Sequence, residues 1–144
     1  MSAAFLLDVL IAAVMLTWAT MEDVKSYTIT LLPILLGTIG GLVVSITFHG
    51  WRGIVESVVG GLVGGGIGWL FVRGVRLGEG DALLYLALGT IFGASTVMVI
   101  VGISQLLVLI RFVKPLVQKR KICVAVVPYI ATGTAIVLLV NHIV

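Results

Sequence analysis

Five apolar runs take up most of this chain, at residues 3–21, 28–48, 54–72, 82–112 and 124–144. A helix needs about 20 mostly apolar residues to cross a bilayer, and every run is close to that length or beyond it. Only 10% of the 144 residues are charged, and the mean hydropathy is +1.29. So few charges cannot cover a water-facing surface. The period-2 alternation of barrel strands is absent. The expected fold is therefore an all-α polytopic membrane protein. It should form one membrane-embedded domain over 1–144, with room for about six transmembrane helices. Membrane lipid is its expected surroundings, and no nucleic-acid partner is expected.

The first run, Ala3 to Thr20, has no basic stretch before it. Glu22 and Asp23 follow it where a small-residue cleavage site would be needed, so it reads as a permanent helix and not a signal peptide. The single Cys123 excludes an internal disulfide and a cysteine-built zinc site. Two histidines, His49 and His142, make a poor metal site. No metal or cofactor is expected.

The fourth run is too long for one ordinary span. Gly89, Gly93, Ser95 and Gly102 offer places to break it. Charge arbitrates through the excess of Lys and Arg on the cytoplasmic side. If the run is two helices, about 82–93 and 95–112, one side collects Lys25, Arg73, Arg76, Arg111, Lys114, Lys119, Arg120 and Lys121, and the other only Arg52. Six helices follow, with both termini on the outer side. Helix 4 is then short, about 18 Å at ~1.5 Å per residue against a core of ~30 Å. Such a helix is either tilted or begins in a wet recess at the inner membrane face.

Of six carboxylates, Asp8 and Glu56 fall near outer helix ends. The other four form two groups on the inner side, Glu22-Asp23 after helix 1 and Glu79/Asp81 before helix 4. Topology alone brings Asp23 and Asp81 to one depth. Acids at membrane depth are costly and point to function. The plainer readings are an N-cap for Asp81 and a solvated helix end for Asp23 beside Lys25.

Asp81 closes the motif Gly78-Glu79-Gly80-Asp81, a GxGD sequence whose glycines permit a sharp turn and a close backbone neighbour. A facing pair of carboxylates suits peptide hydrolysis. The two share a proton, one taking a proton from the attacking water while the other donates to the scissile carbonyl. A Cys–His dyad is disfavoured, because Cys123 falls on the inner side and both histidines on the outer. A Ser26–Lys25 dyad stays open. Glycines repeat every four residues at Gly60, Gly64 and Gly68, which fits either close helix packing or a groove for a substrate helix.

An Asp after helix 1 and a GxGD before helix 4 in a six-helix plan resemble the type IV prepilin peptidases and the archaeal preflagellin peptidases. Presenilin-like proteases share the GxGD more distantly. Leu84, Gly89 and Gly93 follow Asp81 at the spacing the family shows, Lys25 and Ile29 follow Asp23, and Pro128-Tyr129 to Gly133 resembles half of its last-helix segment. Thr30-Leu31, Leu83 and Ala125 depart from the usual Pro-Asn, Lys and Pro. The resemblance implies a prokaryotic inner-membrane aspartyl endopeptidase with its site toward the cytoplasm and Asp23 and Asp81 as catalytic pair. It implies prepilin-like or pseudopilin substrates, with a short basic leader ahead of a hydrophobic helix, cleaved during pilus assembly or protein secretion. The family's paired CxxC region is not in this sequence, so peptidase activity without methyl transfer is expected. Glu22 and Glu79 are candidate contacts for the basic leader. Two other readings stay open, a small ion- or proton-coupled transporter and a non-catalytic membrane scaffold.

Overall fold

The computed structural model describes residues 2–75, 78–117 and 125–143, which form four α-helices. In chain order these are α1 (Ala3–Ser26), α2 (Leu31–Val75), α3 (Glu79–Val117) and α4 (Val127–Ile143). Three of them are long and apolar enough to cross a membrane, and the apolar part of α4, Val127–Val140, is shorter. Arg76, Lys119, Arg120, Lys121 and Cys123 lie outside the described residues.

Ser2 caps α1, its hydroxyl accepting from the Phe5 amide at 3.2 Å. The other end stops at Tyr27, whose φ of 54° is left-handed and turns the chain toward α2. The Tyr27 amide bonds back to the Asp23 carbonyl at 2.9 Å.

Two glycines break the long helices. Gly50 has φ 57° and ψ −137°, and Gly93 has φ 81° and ψ 172°. Residues with a Cβ are strained at such positive φ, by roughly 1–2 kcal/mol in the left-handed region. Both breaks reverse the chain. The Ser45 hydroxyl donates to the Gly53 carbonyl at 3.1 Å, whereas eight residues of straight helix would separate them by ~12 Å. Gln105 Nε2 donates to the Tyr85 hydroxyl at 3.0 Å, whereas twenty residues of straight helix would cover ~30 Å. The first break lies in the connection expected between 48 and 54, and the second lies within the run expected to divide. The arm of α3 before Gly93 starts at Glu79, earlier than the apolar pattern indicated, and measures roughly 21 Å.

The glycine stripe is a packing surface. A methyl at Gly60 would overlap the Gly89 carbonyl, one at Gly64 the Tyr85 carbonyl, and one at Gly68 the Ala82 backbone. These three pairs step in opposite directions along the two arms, so 51–75 and 79–92 run antiparallel with their backbones nearly touching. The face that a substrate helix would have needed is filled. Without a water-driven hydrophobic effect between helices, close contact of this kind supplies much of their association.

Large apolar side chains face outward, among them Leu10, Val14, Leu62, Leu70 and Ile110, while Asp23, Ser57, Asp81, Thr90, Ser104 and Thr134 are buried. Ser104 and Thr134 return their hydroxyls to carbonyls one turn back, at 2.6 and 2.8 Å. An apolar exterior around a partly polar interior is the pattern of a protein dissolved in lipid, and the molecule is a membrane protein.

Candidate active site

Asp23 lies in the last turn of α1 and is 5% exposed. Its position on the helix faces the bundle, as do Ala12, Met15, Leu16 and Ala19 on the same buried stripe. Its Oδ2 accepts from the Val127 amide at 3.0 Å, joining the end of α1 to the start of α4. That amide belongs to the first turn of a helix and has no partner within it. The solvated helix end is thus overturned for Asp23.

Asp81 lies in the first turn of α3 and is also 5% exposed. The helix starts at Glu79, so Asp81 is inside the first turn and not at the N-cap. Its amide bonds to the Gly78 carbonyl at 3.1 Å. Its Oδ1 is buried and has no hydrogen-bond partner among the described residues. The Asp23 and Asp81 carboxylates are near enough for their charges to interact. With each residue 5% exposed, the recess expected at the inner face does not open onto the pair.

Gly80 serves close approach. A methyl there would come within 3.1 Å of the Ile29 side chain, in the connection that follows Asp23. Ile29 and Gly80 therefore hold the two acid-bearing segments side by side. A methyl at Gly78 would meet Asp81 Oδ2 at 3.2 Å.

Glu22 is engaged within the protein. It accepts from Trp18 Nε1 at 2.8 Å, from the Thr30 amide at 2.8 Å and from the Thr30 hydroxyl at 2.8 and 2.9 Å. It clasps the α1–α2 connection, a role the sequence did not suggest. Glu79 is exposed. The Ser26 hydroxyl bonds to the Glu22 carbonyl at 2.9 Å and also meets Thr28 Oγ1 at 2.9 Å, so a nucleophilic role beside Lys25 has no geometric support.

One turn beyond Asp81, Tyr85 is completely buried and its hydroxyl is held by Gln105. This clamp ties the two arms of α3 together behind the acid. An apolar groove of about 730 Å³ runs between α1 and α4 from Phe5 to Thr20 and Met21, ending within a turn of Asp23.

Two buried carboxylates whose charges interact are groups of the kind that acid–base chemistry uses. Among the described residues no group of three or more His, Cys, Asp or Glu side chains could hold a metal ion.

A family model described as the type IV leader peptidase family matches residues 10–113, a stretch that includes both Asp23 and Asp81. No curated protein and no solved structure matches the chain.

Proposed function

The chain belongs to the type IV leader peptidase family, and from that premise we propose that it is a membrane aspartyl endopeptidase working through Asp23 and Asp81. The observation that carries this reading is the pair itself. Two acids 58 positions apart in sequence (81 − 23) are both buried, and their charges interact.

In the proposed cycle one carboxylate is ionised and the other protonated. The ionised one takes a proton from water as the water oxygen bonds to the scissile carbonyl carbon. The protonated one gives its proton to the carbonyl oxygen. As the C–O double bond re-forms, the C–N bond breaks and the leaving nitrogen receives a proton. The pair titrates as a unit, so neither acid needs a fixed role.

The proposed topology has six passes, because α2 and α3 each double back at a positive-φ glycine. The basic residues then gather on the side of Asp23 and Asp81, which makes that side cytoplasmic. It also places the termini outside and the protein in a prokaryotic inner membrane. Residues 1–144 act as one peptidase domain, cleaving the basic leader of prepilin-like precursors without methyl transfer. Glu79, being exposed, is the better placed of the two glutamates to meet that leader.

The test is co-expression with a candidate prepilin in a host lacking its own peptidase, following leader removal by mass. Cleavage by wild type and not by Asp23→Asn or Asp81→Asn, at equal membrane levels, supports the two-acid mechanism. Cleavage that survives either substitution refutes it.

A further inference from the structure

Asp8, near the start of α1, lies fifteen residues and about 22 Å from Asp23 along the same helix, at the opposite end of the bundle. There a cavity of about 260 Å³ is lined by Asp8, Ser45, His49, Glu56, Ser57 and Thr90. These residues converge from α1, both sides of the Gly50 turn, and the arm of α3 that ends at Gly93. Asp8 Oδ1 is buried and has no hydrogen-bond partner among the described residues. His49 is close enough to Asp8 for their charges to interact, but no hydrogen bond joins them to satisfy that oxygen.

The cavity adjoins an apolar groove. Phe5 and Leu138 line both it and the 730 Å³ groove between α1 and α4. A polar chamber beside a long apolar trough matches the head and tail of a lipid. The chamber's acceptors select the head. Two carboxylates and four hydroxyls, that of Thr96 included, suit a primary ammonium, which carries a positive charge and three N–H donors and has no acceptor. No three His, Cys, Asp or Glu side chains among the described residues come together as a metal site. Arg52 is exposed in the turn beside the cavity, where a cation can meet a lipid phosphate.

We infer that this end of the protein binds a phospholipid with a primary-amine head group, the ammonium at Asp8 and Glu56 and an acyl chain in the α1–α4 groove. The site is separate from the aspartate pair and does not depend on the peptidase reading.

Native mass spectrometry of the full chain, released from detergent with added lipid, tests it. Phosphatidylethanolamine, phosphatidylcholine and phosphatidylglycerol of identical acyl chains are compared with soluble glycerophosphoethanolamine. Wild type is expected to retain the ethanolamine lipid about tenfold more than the choline lipid, the size of one charge-assisted hydrogen bond. Asp8→Asn and the exposed Glu56→Gln should each erode that preference, and Leu138→Trp should lower retention of the ethanolamine lipid by blocking the trough. Equal retention of the ethanolamine and choline lipids by wild type overturns the inference. So does an unchanged preference in both acid variants. Binding of the soluble head group as tightly as the lipid overturns the acyl-chain half, leaving a site for a free amine.

Discussion

The side chain of Asp23 accepts a hydrogen bond from the backbone amide of Val127, at 3.0 Å and 104 residues away in sequence. One carboxylate of the proposed pair therefore also fastens α1 to α4. Asp23→Asn keeps an oxygen for that amide, whereas Asp23→Ala leaves a buried donor unpaired at a cost of about 1–3 kcal/mol. Both variants are expected to lose cleavage, by 10²-fold or more for removal of an acid–base group. Only Asp23→Ala should also unfold at a lower temperature in detergent. Equal thermal stability of the two would show that the Val127 contact contributes nothing.

The glycine stripe makes a contrast within one helix. Gly60→Leu and Gly64→Leu drive side chains into the Gly89 and Tyr85 carbonyls, and each is expected to destabilise by about 3 kcal/mol or more. Gly66 has nothing near its missing Cβ, so Gly66→Leu should accumulate in membranes like wild type. Thermal unfolding and membrane levels of the three variants decide the matter.

Glu22 and Glu79 should separate in kinetics. Glu22 holds Trp18 and Thr30, so Glu22→Ala is expected to lower the unfolding temperature through the α1–α2 connection. Glu79→Lys should raise KM for a precursor with a basic leader while leaving kcat close to wild type, and more so at low salt. An unchanged KM would remove Glu79 from leader recognition.

Gly93 has φ 81° and open space around its Cβ position. Gly93→Ala therefore tests backbone strain without a clash, and about 1–2 kcal/mol of destabilisation is expected. Gly102→Ala, also in open space but not at positive φ, should be neutral or slightly stabilising. Denaturation of both variants in mixed detergent gives the comparison.

Much of this was legible in the sequence because membranes simplify the code. Apolar runs gave the all-helical class, and the imbalance of basic residues favoured a division of the long fourth run, within which α3 breaks at Gly93. The nearness of Asp23 to Asp81 was legible for the same reason, since both stand at ends of apolar runs. What could not be read is contact between distant partners. Nothing local to Asp23 signals an amide at Val127, and nothing local to Glu22 signals Thr30 beyond its nearness in the chain. The GxGD motif announced a tight approach but not the side chain that makes it, Ile29. Asp8, His49 and Glu56 each read only as residues toward the outer helix ends. They become a cavity only when the turns at Gly50 and Gly93 bring these distant chain segments together.

The Gly60–Gly89, Gly64–Tyr85 and Gly68–Ala82 contacts work as a depth gauge. Helices that touch through toothed stripes can slide only in whole steps, and a step of four residues would carry Asp81 roughly 6 Å along the bundle axis. That displacement is more than a proton can cross between two oxygens. The spacing of residues that have no side chains thus fixes the level at which the two carboxylates of the proposed pair can meet.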